Sequence, residues 1–539
     1  MRASDFSSLL AYNSGDQFPN NIGLNVQEAR RYENFEGVLV FNTQVVDHVV
    51  VRLRGGNSRY MGTGKRHFRL KFPKGTPLYA ADEKGNLYER PWEEMLFNKL
   101  FGNKGYYDWG LIYEVGGKLW SQQGVPIPHS HWVHLRVVRG ANEAPNATGG
   151  DFWGLYQALE LPEGKNFLEA RNLERGNFYK MSDWIQNGEM DQRYQAEGAV
   201  DYGEDFDNIR YNVHQGTSQS DLERYINMPL WYRYNAVQEA IRHYDIFVEP
   251  TGRHRLKNLI WYFEPQAGNP LGKLWFMPYD WDASFGPTWN NGWDLLHNAL
   301  YDHFNISDSP TWTGAKENRQ FMQIEHRNAI RELRDLVWYR ETGGRGPLDD
   351  IIDDAVATLS AFWPADRARW PATGAQGDHP GGPVYKGNDM KAFAFTGWND
   401  PINGDPAVGA GGRAAYLDAI SDGLDAGRLP AKPTISYTGA EDYPVDGLTF
   451  QSSTFADPQG VVTFGAMQWR IGEITDPTAP AYEAGAERIY EVEPVWESGE
   501  LTSFASSVTI PGTVLRVGHT YRARVRHRDT SGRWSHWSA

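Results

Sequence analysis

Gly272-Lys273-Leu274-Trp275-Phe276-Met277-Pro278-Tyr279-Asp280-Trp281-Asp282-Ala283-Ser284-Phe285-Gly286 is an apolar run that ends abruptly on two carboxylates spaced i, i+2. The run predicts a buried strand. A strand that ends this way can present acids at the mouth of a cleft, where a hard metal ion and a phosphate group require them. Taken alone, an Asp-x-Asp of this kind is an ordinary acidic turn, so the residues before it decide the reading. A second apolar strand, Leu259 to Phe263, lies upstream, and the Gly- and Pro-containing segment Glu264 to Gly272 reads as the loop of a hairpin. A hairpin sets its two open ends side by side. Asn258, which enters the first strand, is therefore expected near Asp280, which leaves the second.

Ahead of the hairpin, Ser220 and Glu223 have capping-box spacing, and Pro229 can open a second helix in its first turn. Leu230, Tyr234, Val237 and Ile241 recur at i, i+4, i+7 and i+11, a buried stripe that delivers Asp245 to the helix end. Further towards the N-terminus, residues 36 to 72 read as β structure, with alternation in Val49 to Arg54 and His67 to Phe72. The Gly-rich connection Gly55 to Arg66 is not a P-loop: Arg59 stands where its first Gly belongs, and Arg66 follows Lys65 where Ser or Thr is needed. A helical stretch is expected around Trp92 to Phe101, with strands at Trp132 to Val138 and Phe152 to Leu159. Residues 181 to 219 are polar, acidic and irregular, and helices dominate from about Glu317 to Trp363.

A Gly/Pro-rich region from about Pro371 to Pro433, with a short helix near Arg413 to Leu424, reads as the edge of the main domain plus a linker. Beyond it come five short strands in about a hundred residues, the pattern of a β-sandwich. In its last hairpin Tyr521, Ala523 and Val525 point one way and Arg522, Arg524 and Arg526 the other, ahead of Trp534 and Trp537. Arginines laddered opposite exposed indoles can stack by cation–π contact, either to rigidify the sandwich or to bind a ligand.

At 539 residues the chain is too long for one ordinary core. A net charge of -15 argues against a nucleic-acid backbone as the main partner, because that needs a basic face. No cysteine is present, which excludes disulfides, thiolate metal sites and a cysteine nucleophile. No apolar run is long enough to span a membrane, so no membrane insertion is expected. The N-terminus lacks the charged-then-apolar layout of a signal peptide, which suits a cytosolic protein or a segment cut from a longer exported one.

Phosphoryl transfer needs basic groups on the phosphates, acids and an amide for Mg²⁺, and a carboxylate that orients the attacking hydroxyl. The chain offers such parts in order: Asp245 at a helix end, Asn258 opening a hairpin, Asp280 closing it. Protein kinases likewise place a base and an Asn before a short hairpin that ends on a metal-binding Asp. Several separated segments resemble the CotH family of atypical kinases. They are Arg54-Gly55-Gly56-Asn57-Ser58 with Lys65 to Phe72, Gly154-Leu155-Tyr156 to Glu160, Tyr179-Lys180, Tyr225 to Asp245, and Asp280-Trp281-Asp282 to Phe285-Gly286. In order, they cover roughly residues 35 to 370. The C-terminal strands, with Trp534-Ser535-His536-Trp537-Ser538, resemble a fibronectin type III domain.

The resemblance implies an α+β chain. An atypical protein-kinase-like domain, with a β-rich N-lobe and a helical C-lobe, would span residues 1–425, a linker 426–432, and the sandwich 433–539. It also implies an ATP-dependent transferase using Mg²⁺ or Mn²⁺ and phosphorylating Ser or Thr on another protein or on itself, as a monomer. Asp245 would be the catalytic carboxylate. Asn258, Asp280 and Asp282 would hold metal, and Arg54, Lys65, Lys71, Glu160 and Lys180 would contact the nucleotide. The gap between Asp245 and Asn258 is longer than kinase logic prefers, and an inserted Glu249-Pro250-Thr251-Gly252 turn could absorb it. The expected setting is the cell surface or the spore envelope of a bacterium. Adenylylation or glutamylation of a protein stays open, as does a non-catalytic adhesin or structural protein.

Overall fold

The computed structural model describes residues 1–11, 34–54, 65–100, 110–144, 150–181, 191–201, 203–213, 217–243, 258–286, 319–341, 344–370, 382–398 and 409–539. Helix and antiparallel sheet are mixed, an α+β chain. After α1 (Ala3–Ala11) come six strands: β1 (Phe35–Phe41), β2 (Gln44–Leu53), β3 (Phe68–Lys71), β4 (Glu94–Asn98), β5 (Ser130–Arg136) and β6 (Phe152–Glu160). They form one sheet in the order β1-β2-β3-β4-β6-β5. Every residue of β6 is buried, with Leu155 and Leu159 in one apolar cluster and Trp153, Tyr156 and Ala158 in another. A strand covered on both faces loses its polar alternation, which is why β6 reads as a continuous apolar run.

Glu94 to Asn98 corrects the helix expected around Trp92 to Phe101. It is a strand, paired with β3 and β6 and buried at all five positions. An apolar run this short has no period that separates helix from strand, and the sheet decides it. The helix on this part of the chain is α2 (Leu111–Gln122), which follows β4.

A second sheet has the order β10-β9-β7-β8, from β7 (Asn177–Met181), β8 (Asp191–Tyr194), β9 (Leu259–Gln266) and β10 (Asn269–Pro278). The predicted hairpin is present with a tighter loop than expected. Pairing resumes from Gln266 to Asn269, and Gly268 takes the positive φ of 78° that a two-residue turn needs. Three helices follow or flank this sheet's early strands: α3 (Lys165–Ala170), α4 (Glu204–Asn212) and α5 (Gln219–Tyr225). The cap of α5 is Ser218, accepting from the Asp221 amide at 3.1 Å, two residues before the predicted box. Asn227 caps α6 (Met228–Ile241), whose stripe Leu230, Tyr234, Val237 and Ile241 is buried as expected.

Helices α7 (Gln320–Leu336), α8 (Pro347–Ser360), α9 (Trp363–Arg369), α10 (Gly382–Phe395) and α11 (Gly412–Asp418) complete the main core. Among the described residues no helix is long and apolar enough to cross a membrane. The C-terminal strands form two three-stranded sheets. One is β11 (Ile435–Tyr437), β12 (Thr449–Ser452) and β15 (Ser507–Thr509), and the other joins β14 (Pro494–Glu497), β13 (Phe464–Ile474) and β16 (Thr520–Asp529). The arginine ladder on β16 is real, but its indoles are not exposed. Arg526 lies 4.4 Å from the Trp534 ring and 4.3 Å from the Trp537 ring, and both indoles are buried. Trp537 belongs to the same apolar cluster as α7 and α8.

Candidate functional site

The hairpin brings the two predicted residues together by register. Pro278 faces Leu259, and the next amide, Tyr279 N–H, donates to the Asn258 carbonyl at 3.0 Å. At this open end the strands leave extended geometry. Asn258 has φ 58° and Asp280 φ 52°, left-handed backbone that Asn and Asp tolerate better than other residues with a Cβ. Phe285, also left-handed at φ 55°, donates its amide to the Ile241 carbonyl at 2.8 Å. The segment after Asp282 is thereby stitched to the end of α6, the helix that leads to Asp245. Asp245 itself lies outside the described residues. For a bulky aromatic a left-handed φ is an outlier, and such strain persists where the surroundings fix it, often at functional sites.

Around Asp280 and its neighbour Tyr279, three groups converge from three sequence regions. The Tyr113 hydroxyl, from α2, donates to Asp280 Oδ1 at 2.7 Å. Arg54, just past β2, donates to the Asn98 side-chain carbonyl and to the Tyr279 hydroxyl. Lys180 Nζ, from β7, sits 4.0 Å from the centre of the Tyr279 ring. Burial opposes the Arg54 charge, yet the oxygens of Tyr279, Tyr113 and Asp280 outweigh it and hold its pKa above the ordinary value. Burial pushes the Tyr279 phenol up, and Lys180 and Arg54 more than reverse that, leaving it below the usual phenol range. Burial, then the charges of Asp280 and Asp282, push the Tyr113 phenol well up, so it remains a donor. Two cations and two acids thus share one half-buried patch at the hairpin end.

The other predicted nucleotide contacts are engaged elsewhere. Lys65 is fully buried, its ammonium 2.6 Å from Asp366 of α9, which is also fully buried. Lys71 is exposed at the C-terminal end of β3, 3.9 Å from Glu94. Glu160 is buried and held by Arg171 at 2.6 Å and by the His129 amide at 3.1 Å, which ties the end of β6 to the C-terminal end of α3. Of the predicted set, the structure gathers Arg54, Lys180, Asn258 and Asp280 at the hairpin end, with Asp282 two residues on and half-buried. Tyr113 and Tyr279 are additions. Tyr279 stood in the decisive stretch, where it read as strand. Nothing local marks Tyr113.

The donor set can be tested against a metal by its chemistry. Asn258 offers an amide oxygen and Asp280 and Asp282 offer carboxylates, all hard donors. Magnesium is bound through one or two carboxylates and keeps its remaining positions for phosphate and water. Among the described residues no three or more His, Cys, Asp or Glu side chains converge as a metal cage. The residues present therefore fit a cation that arrives with a phosphate better than a self-sufficient metal site.

The family model described as CotH kinase protein matches residues 51–338, more than half of the chain. That span runs from within β2 to just past α7 and contains every residue of the hairpin site. No curated protein matches the chain. On the strength of that match, whose span holds Arg54, Lys180, Asn258, Asp280 and Asp282 together, the chain belongs to the CotH kinase protein family.

Proposed function

We propose that this protein is an ATP- and divalent-cation-dependent transferase that phosphorylates Ser or Thr on a protein acceptor. In this reading the six-stranded sheet with α2 is the N-lobe and the second sheet with α6 to α11 is the C-lobe. The C-terminal pair of sheets is a fibronectin type III-like unit. The observation that carries the proposal is the end of the β9–β10 hairpin, where Asn258 and Asp280 lie side by side beneath Arg54 and Lys180.

Asn258, Asp280 and Asp282 would hold Mg²⁺ or Mn²⁺, which when bound neutralises charge on the nucleotide phosphates. Arg54 and Lys180 supply positive charge from two different sheets and meet on Tyr279, where they would face the phosphates. The Asp245 carboxylate, carried on the chain beyond α6, would orient the acceptor hydroxyl. Low dielectric at a half-buried patch strengthens each of these charges relative to water.

The decisive experiment separates the chemistries available to such a site. The protein is incubated with Mg²⁺ and ATP labelled on the γ- or the α-phosphate, with candidate acceptors, and intact mass is measured. Label from the γ-position with a phosphate mass increment on Ser or Thr is the expected result. Label retained from the α-position would make the enzyme an adenylyltransferase. Release of AMP with an added glutamate would make it a ligase. No nucleotide-dependent change in mass or thermal stability would favour the non-catalytic surface protein.

A further inference from the structure

We infer that Tyr113 is a positioning residue for Asp280: its hydroxyl takes one carboxylate oxygen while its carbonyl holds Trp281, so that α2 fixes the orientation in which Asp280 meets a divalent cation. This rests on the functional reading above and adds to it a residue that no motif marks.

Two consecutive residues of the Asp-x-Asp segment are tied to the same partner. The Tyr113 hydroxyl donates to Asp280 Oδ1 at 2.7 Å, and the Trp281 indole N–H donates to the Tyr113 carbonyl at 3.2 Å. The helix face that receives them is built for it. Tyr113, Gly116, Gly117 and Trp120 lie at i, i+3, i+4 and i+7, one stripe of α2. The Tyr113 and Trp281 rings sit 4.6 Å apart between centroids, and Trp120 meets Trp281 edge-on at 5.4 Å. A Cβ on Gly116 would stand 2.9 Å from the indole nitrogen, closer than real side chains approach. Glycine there lets the indole lie against the helix backbone.

Packing of Trp281 accounts for the glycine and for the indole bond. It does not account for the Tyr113 hydroxyl, because phenylalanine would fill the same space. An ionised carboxylate only accepts hydrogen bonds, so a protonated phenol is a partner that fixes one oxygen without competing for the metal. Groups that orient a ligand in this way typically change metal affinity about 10–100-fold when removed.

The test uses the full chain. Mn²⁺ affinity is measured by electron paramagnetic resonance with ADP present, alongside the melting temperature without ligand, for the wild type, Tyr113→Phe and Gly116→Ala. Tyr113→Phe is expected to weaken Mn²⁺ binding about 10–100-fold with little change in the ligand-free melt. A purely structural role would move the melt and leave the affinity alone. Gly116→Ala, which displaces Trp281 from the backbone side, is expected to weaken Mn²⁺ binding and lower the melt. Should Tyr113→Phe fail to fold, the Mn²⁺ affinity of Gly116→Ala decides. Equal Mn²⁺ affinity in wild type and Tyr113→Phe overturns the inference alone. Absence of Mn²⁺–ADP binding in the wild type removes the functional reading and this inference together.

Discussion

At the end of the β9–β10 hairpin, Asn258, Asp280 and Phe285 hold left-handed backbone, and two cations lie close to one another. At the junction between the C-terminal strands and α7, charges are buried and matched. The fully buried Asp425 accepts from Arg327 at 2.9 Å and from Arg331 and Arg533 at 3.0 Å. His536 bridges Asp335 and Asp422, each at 2.7 Å. Asn328 donates to the Gly532 carbonyl at 2.9 Å and accepts from the Trp534 amide at 3.0 Å. Both regions bring together residues far apart in the chain, but one gathers charge against strain and the other cancels it. Strained, charged constellations are where pKa values are perturbed and ligands bind. Densely paired buried networks hold a fixed arrangement and are costly to break.

The largest effect on folding is expected from breaking the densely paired junction. Asp425→Ala leaves three arginines without their shared carboxylate. Urea unfolding should show a loss of about 3–5 kcal/mol, the cost of stranding a buried charge. A loss below about 1 kcal/mol, the scale of a solvent-exposed pair, would mean that water reaches the junction.

The hairpin end should respond in the opposite sense. Asp280→Ala is expected to abolish stabilisation by Mg²⁺ and ATP in a thermal-shift titration while the ligand-free melt stays near that of the wild type. Asp245→Asn should leave nucleotide affinity unchanged and lower turnover by about a hundredfold or more, as for a lost general base. Weakened nucleotide affinity would recast Asp245 as a metal ligand. Full activity would direct attention to other acids, first Asp201, Glu204 and Asp205. Asp205 is buried and accepts from the Tyr179 hydroxyl at 2.6 Å and the Asn177 amide at 2.9 Å.

A smaller, graded effect is expected from pH. Burial alone would lower the His536 pKa, but Asp335 and Asp422 outweigh it and raise it to about 9. The folded-state value lies above the ordinary value of 6.5. His536 therefore contributes fully below about pH 6.5, and the contribution is lost as pH rises through about 9. Chemical unfolding between neutral and alkaline pH should show stability falling for the wild type and a flatter profile for His536→Gln. Equal slopes would mean that the imidazolium is not what holds Asp335 and Asp422.

The smallest effect is expected where the C-terminal unit touches α2. Lys118 of that helix pairs with Glu487 at an exposed position. Glu487→Ala should change stability by less than about 1 kcal/mol and lose that effect at high salt. A larger change would show that this contact matters to α2, and through Tyr113 to Asp280.

By itself the sequence determined what short-range physics can specify. The hairpin and its neighbouring ends follow from two apolar runs and a Gly-containing turn. The buried stripe of α6 follows from spacing, and the order of the family segments is carried along the chain. The tertiary structure decided what depends on partners distant in sequence. Glu94 to Asn98 became a strand because β3 and β6 flank it. Lys65 was drawn to Asp366, a residue 301 positions away, because a buried ammonium requires a buried carboxylate. Trp534 and Trp537, which read as exposed beside the arginine ladder, are buried where the C-terminal strands meet α7. Tyr113 joined the site for the same reason. A tyrosine on an apolar helix face carries no local signal, and only the docking of Trp281 beside Gly116 places its hydroxyl on Asp280.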